Sequence, residues 1–404
     1  MRIYEHESAM EPVLADSPEL RDLALKLTRT SASLSESVHP VTAQGMAALV
    51  RSMNSYYSNL IEGHNTHPLD IERALRKDFA SEPAMRALQI ESAAHIDVQQ
   101  LLEARLRDES QFGICAPETL CWIHREFYAR LPEEFRLIKT KNGMTDRVVP
   151  GGVRKNEVEV GAHIAPKASS IPKFLARFNS AYEPSGLEAL TRVIATAASH
   201  HRFTWIHPFL DGNGRVGRLF THGYLIQAGV DGKGLWTVSR GLARRKDKYL
   251  AALAGADAPR RNDLDGRGNL SRAGLEQFCA FFLETCVDQV EFMRNALNLD
   301  TILERIKLFA ERSNGPRKID DQTVLLLQQA FLRGKLTPGE TVQILGRPER
   351  TSRRIVSDLV ARQLLTSDGA GKPLRFGFPM GAVGYYFPRL YPEGVELDLQ
   401  RVEQ

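Results

Sequence analysis

A base, a carboxylate, three glycines and two arginines fall within residues 207–218, in the order His-Pro-Phe-Leu-Asp-Gly-Asn-Gly-Arg-Val-Gly-Arg. Such a set suits transfer chemistry on a polyphosphate. The backbone of Asp211-Gly-Asn-Gly tolerates positive φ, and its successive N–H groups can nest an anion at the positive end of a following helix. Arg215 and Arg218, spaced i,i+3, share a face of the first turn and can hold two further phosphate groups. Asp211 stands among these positive charges, where an oxygen ligand for Mg²⁺ is wanted to bridge the phosphates. His207, with an ordinary pKa near ~6.5, is the group able to accept a proton from an incoming hydroxyl at neutral pH.

These residues need a loop between two helices. Pro208 disfavours helix for the residue before it, so the apolar-periodic run should end near Phe203 and leave His207 on a loop facing a cleft. The run at 187–201, with Leu190, Val193, Ile194 and Ala197 on one face, is the helix that delivers the chain there. A second helix runs from Arg215 to about Gln227, with Gly229 as its stop. The bland alternative is a glycine-rich turn with a satisfied histidine and solvated arginines; the fixed order of all these groups argues against it.

The stretch resembles the signature of the Fic family, His-x-Phe-x-(Asp/Glu)-Gly-Asn-Gly-Arg-x-x-Arg, at every position. The resemblance implies transfer of AMP from ATP to a hydroxyl of a target protein, with His207 as general base and Asp211 on Mg²⁺. It places Gly212, Asn213 and Gly214 on the phosphates and Arg215 and Arg218 on the outer ones. A phosphorylating branch of the family departs at the second glycine; Gly214 is intact, which favours AMP transfer.

Upstream, residues 20–106 carry helical periodicity throughout. Thr42 is the expected cap of a helix over about 42–63 whose apolar face is Met46, Leu49, Val50, Met53, Tyr57 and Leu60, with Gly63 as stop. Glu62 then falls in the last turn, where a carboxylate opposes the helix dipole unless a cation meets it. Ser58-Asn-Leu-Ile-Glu-Gly63 resembles the family's inhibitory motif, (Ser/Thr)-x-x-x-Glu-(Gly/Asn). That resemblance implies a pairing of Glu62 with Arg218, with Ser58 steadying the end of the helix.

Between 136 and 172 the periodicity changes. Val153 to Val160 alternates about Lys155-Asn-Glu157, predicting a hairpin. Residues 152–172 resemble the Fic flap, which covers the nucleotide and aligns the target segment, with Val158, Val160 and Ile164 as its apolar contacts. His163 is read as a flap contact or a solvated residue. Tyr249 and Leu253, i,i+4 neighbours that by spacing alone read as core, are similar to the pair that walls the adenine pocket in Fic proteins. Asp257 stands where many relatives have asparagine. Residues 263–271 bear a faint likeness to a calcium loop, but Arg267 and Gly274 fill ligand positions, so a polar loop with Ser271 as helix cap is expected.

The chain has 404 residues, 43% hydrophobic and 25% charged, with net charge +4. This is an ordinary globular composition, and the charge is too small to imply a nucleic-acid partner by itself. The first residues lack an apolar h-region and no run of eighteen apolar residues occurs, so neither standard export nor a membrane span is expected. Cys115, Cys121, Cys279 and Cys286 show no metal or disulfide spacing and read as reduced core residues of a cytoplasmic protein.

A long helical stretch reaches about Arg312 and breaks at 313–316. Beyond it, Thr337-Pro-Gly-Glu340 is a capping box opening a short helix that ends at Gly346. A second helix follows from Glu349 to about Arg362, and Leu374, Phe376 and Phe378 alternate along a strand after a turn at 368–372. This resembles a winged helix, with Arg347, Arg350, Arg353 and Arg354 near the start of its second helix. DNA and protein contacts are equally open for it, as is a homodimer.

The expected fold is mainly α. It comprises a helical N-terminal domain (1–106) with the inhibitory helix, a helical Fic core (107–312) with a β-hairpin flap, and a winged-helix domain (317–404). The expected activity is an autoinhibited protein adenylyltransferase using ATP and Mg²⁺ on a Tyr, Thr or Ser hydroxyl of a target protein or of itself. Two alternatives stay open: AMP removal by the same fold, and a winged-helix transcription regulator that senses nucleotide.

Overall fold

The computed structural model describes residues 4–109, 112–139, 145–161, 163–313 and 319–396. The side chains of Lys139 and Val160 lie outside this description.

Prolines set the starts of the first five helices: α1 (Pro18–Ser35), α2 (Pro40–Ile61), α3 (Pro68–Leu75), α4 (Pro83–Asp108) and α5 (Pro117–Ala129). At the first helical position a proline gives up no hydrogen bond and its φ is already helical. This signal decides the start of α2. Its cap is His39, whose ring accepts from Val41 N–H, while Thr42 lies inside the helix with its hydroxyl donated to Phe331 O at 2.7 Å. The expected Thr42 cap is therefore corrected to His39.

The middle of the chain adds α6 (Ile171–Tyr182), α7 (Ala189–Ile206), α8 (Asn213–Gln227), α9 (Val238–Arg244), α10 (Lys246–Ala256) and α11 (Arg272–Ala296). Ser271 caps α11 as expected, accepting from Gly274 N–H at 2.9 Å. The helix α12 (Leu299–Arg312) follows, capped by Asn298, so the long helical stretch to Arg312 is built of two helices. Phe178, Phe203, Phe220 and Tyr224 pack around α7 and α8 with centroids 5.5–6.3 Å apart. Burial of such rings dominates core stability.

Among the described residues, three antiparallel two-stranded pairs interrupt the helices. β1 (Leu137–Lys139) pairs with β2 (Thr145–Arg147), β3 (Glu159–Val160) with β4 (His163–Ile164), and β5 (Leu365–Ser367) with β6 (Leu374–Phe376). The flap hairpin thus pairs Val160 with His163 past Gly161, at φ +61°, and does not turn at 155–157. The reason is that residues 154–156 are already committed: Arg154 N–H donates to Pro208 O, and its guanidinium to Asn156 O, leaving no free edge for the strand expected there.

The C-terminal part comprises α13 (Asp321–Arg333), α14 (Pro338–Leu345), α15 (Glu349–Ala361), the β5–β6 hairpin and α16 (Met380–Tyr386). The Thr337/Glu340 capping box forms, and Leu336 bridges Leu374 beside the hairpin. Arg353 pairs with Glu349 and Arg347 with Asp320. This part packs directly on α2: Tyr391 stacks on Tyr57 and meets Tyr56 edge-on, and the Tyr57 hydroxyl donates to Leu390 O at 2.8 Å. The central helix α2 is consequently buried on most of its circumference, and its polar residues find partners across helices. Asn54 donates to Gln99 Oε1 at 2.8 Å and accepts from Thr237 at 2.6 Å. Among the described residues no helix is long and apolar enough to cross a membrane.

Candidate active site

The helix α7 runs to Ile206, three residues past the expected end, and stops at His207, which takes a left-handed conformation (φ +50°, ψ +59°). Proline at 208 cannot continue the helix, and a non-glycine residue with positive φ persists only when its surroundings fix it. Arg154 does so. Its side chain is fully buried, Nε donates to His207 O at 2.8 Å, and its remaining donors reach Asn156 O and Pro166 O on either side of the flap. Burial, reinforced by the charges of His163 and Arg154, pushes the His207 imidazole down to about 4. It is therefore neutral at pH 7 and able to accept a proton.

Gly212 caps α8 at φ +79°; a side chain there would collide with the Tyr128 ring. The Asn213 amide closes the loop, accepting from Phe209 N–H at 2.9 Å and donating to Phe209 O at 2.8 Å. It shapes the nest and is not a free phosphate donor in this state. Tyr128 donates its hydroxyl to Asp211 Oδ2, which also accepts from Arg215 Nη2 at 3.0 Å. Burial would raise the Asp211 carboxyl, but Arg215 and Tyr128 outweigh it and hold it below the usual carboxylate range.

The two arginines of α8 meet carboxylates from the N-terminal helices. Arg218 donates Nε to the Ser58 hydroxyl at 2.9 Å, and Nη2 to Ser58 O at 3.0 Å and Glu62 Oε1 at 2.6 Å. Glu62 is the C-cap of α2, and Gly63 turns the chain away at φ +92°. Burial opposes ionisation of Glu62, yet the Arg218 charge and hydrogen bond prevail and hold its carboxyl low. A methyl group at Gly214 would collide with the Glu62 carboxylate, so this oxygen pair lies over the helix N-terminus where a phosphate would bind. Arg215 pairs with Glu91 of α4, lies 5.3 Å over the Phe127 ring, and keeps its buried Nε without a partner among the described residues.

Tyr249 is buried with its hydroxyl 2.8 Å from His200 Nε2, close enough to Arg218 and Glu62 to feel their charges. Leu253 is half-buried, and its carbonyl accepts from His201 at 3.1 Å. The flap is clipped down by His163, which donates Nε2 to Trp205 O at 2.8 Å and has Nδ1 3.3 Å from Asp257. Asp257 also meets His201 at 3.1 Å, so its carboxylate is spent on two histidines. Val158 and Ile164 are half-buried in this hairpin; the Val160 contact lies outside the described side chains.

The structure thus gathers His207, Asp211, Gly212, Gly214, Arg215, Arg218, Ser58 and Glu62. Sequence reasoning missed Glu91, Tyr128, Arg154 and His64. For Glu91 a signal existed: Glu91, His95 and Gln99 form a polar stripe at i,i+4 spacing along a face of α4 that is otherwise buried.

Residues 114–225 match the Fic/DOC family. A protein adenylyltransferase Fic of Drosophila mojavensis is 32% identical over 105 residues, 26% of this chain and 21% of that protein. One of Nematostella vectensis is 28% identical over 174 residues, 43% of this chain and 37% of that protein. The chain therefore spans between about a fifth and somewhat over a third of these relatives. A Fic family protein of Desulfovibrio desulfuricans G20 shares the fold at TM-score 0.52 and 18% identity, covering 91% of this chain and 98% of its own. Fic-1 of C. elegans (aa134–508) does so at TM-score 0.51 and 14% identity, over 69% and 74%. The motif residues assembled around the α8 N-terminus lie within residues 114–225, and this segment of the chain matches a Fic domain.

Proposed function

We propose that this protein is a protein adenylyltransferase restrained by its own Glu62. In the reaction, a target hydroxyl oxygen attacks the α-phosphorus of ATP, the bond from Pα to the bridging oxygen of the β-phosphate breaks, and pyrophosphate leaves. The hydroxyl proton goes to the neutral imidazole of His207. The α8 N-terminus, Arg215 and Arg218 stabilise the phosphate charge, the usual main source of catalysis in such transfers. Asp211 would hold Mg²⁺, which when bound neutralises phosphate charge. Its carboxylate is 44% exposed, and no cluster of three or more ligand-type side chains occurs among the described residues, which fits an ion bound by one carboxylate and the substrate's phosphates.

The observation that carries this reading is the Glu62 carboxylate seated on Arg218 above Gly214, in the place of an anion. Labelling from α-³²P-ATP with Mg²⁺, on the protein itself and on a lysate, tests it. Label is expected to rise in Glu62→Gly and to vanish in Glu62→Gly with His207→Ala. Absence of label in all three overturns the transferase; Glu62-dependent release of AMP from a labelled target would instead identify the opposing activity, hydrolysis of the AMP–protein bond by water.

A further inference from the structure

The second carboxylate of the site has no part in the signature motif or the inhibitory motif. Glu91 is fully buried near the middle of α4, and its oxygens serve different neighbours: Oε1 accepts from Arg215 Nη1, and Oε2 lies 2.6 Å from His64 Nδ1. It cannot withdraw. The adjacent Ser92 is bonded twice to α2, its carbonyl accepting from Ser55 at 3.0 Å and its hydroxyl from Asn59 at 3.2 Å, and Gln99, two turns on, accepts from Asn54.

Arg215 is as constrained as its partner. Its side chain is 8% exposed, and one edge of the guanidinium is divided between Glu91 on Nη1 and Asp211 with Tyr128 on Nη2. The phenyl ring of Phe127 supports its face. What remains is Nε, a buried donor with no partner among the described residues, on a residue at the first turn of α8. A buried donor left open on a guanidinium whose other two nitrogens are both bonded marks the place of a missing acceptor. Of the two carboxylates on Arg215, Asp211 is the one suited to a metal ion, and a carboxylate shared with a divalent cation holds an arginine less firmly. Glu91 is the counter-charge that does not change.

We propose that Glu91 is a positioning residue for nucleotide binding. It fixes the Arg215 guanidinium so that its phosphate contact is preorganised whether or not Glu62 is in place. His64, two residues beyond Glu62, ties this brace to the end of the inhibitory helix. The assignment rests on the reading of Arg215 as a phosphate ligand given above, and a binding measurement without turnover separates the two.

The probe is α,β-methylene-ATP with Mg²⁺, which cannot transfer AMP, titrated calorimetrically into four full-length proteins: Glu62→Gly alone and combined with Glu91→Gln, with Arg215→Met, or with both. Glu91→Gln preserves shape and can still bond His64 while removing the charge on Arg215. Its Kd is expected to rise at least ~10-fold, the scale of one lost charge-assisted contact. Because Arg215→Met already removes what Glu91 holds, adding Glu91→Gln to it should change Kd by less than about twofold. Melting curves of all four establish folding; should the glutamine variant not fold, Glu91→Asp serves, with an intermediate Kd expected. An unchanged Kd in the glutamine or aspartate variant overturns the brace. Tighter binding overturns it too, making Glu91 a second brake. No binding by Glu62→Gly overturns the nucleotide reading itself, and the brace with it.

Discussion

Arg215 and Arg218 stand one turn apart on α8, and each meets a glutamate from the N-terminal helices, yet the two ion pairs are built differently. Glu62 hangs from the C-cap of α2, beside a glycine turn, with its side chain 34% exposed. Glu91 sits mid-helix with none of its side chain exposed. A carboxylate at a helix end can leave by rotating its own side chain, whereas one in the middle of a packed helix can leave only if the helix unpacks. The same kind of ion pair is therefore free to open in one place and held closed in the other.

The largest expected effect tests whether the pairs belong to a catalyst at all: His207→Ala in the Glu62→Gly background should lose ~10²–10⁴-fold in labelling rate, the usual worth of a general base. Next, Glu62→Gly should raise labelling by on the order of tenfold or more over the parent, while Glu62→Gln, which keeps a hydrogen bond but not the charge, should fall between them. A contrast in stability follows. Urea unfolding should show Glu91→Gln destabilised by about 3 kcal/mol, the cost of breaking a buried pair. Glu62→Gln should cost no more than ~1 kcal/mol, as for a partly solvated one. Equal losses would erase the distinction.

The smallest expected effect on activity concerns pH. Arg218 holds the Glu62 carboxyl below its ordinary range, so the pair stays ionised as pH falls to 5, and parent activity should remain low, within about twofold, between pH 8 and 5. In the same range folding stability should decline. Burial first of all pushes His207 and His124 down to about 4 and His95 and His200 to about 3. Below pH 6.5 the unfolded chain binds protons that the folded chain refuses, so stability is fullest above 6.5 and falls with pH. Urea midpoints from pH 8 to 5 check the sign.

Local features were legible and distant ones were not. The motif, the capping box and the helix stops are written in neighbouring residues whose φ, ψ preferences act over a turn or two. Glu62 on Arg218 was legible because a second motif announced it. Glu91, Tyr128 and Arg154 meet their partners across 124, 83 and 53 residues, and no period or propensity encodes such a meeting. The flap turn was misplaced for the same reason: the bond from Arg154 to Pro208, formed across the fold, overrode the local alternation.

The hydrogen bond from Tyr57 to Leu390 O spans 333 residues of sequence. Chains emerge from the ribosome N-terminus first, at a few to some tens of residues per second. The helix that ends in Glu62 is thus made early but lacks its aromatic backing until Tyr391 has emerged. The Tyr57 side of this helix therefore gains its last partner only when residue 391 has been made, long after α4 and α9, which pack on its other sides, have left the ribosome.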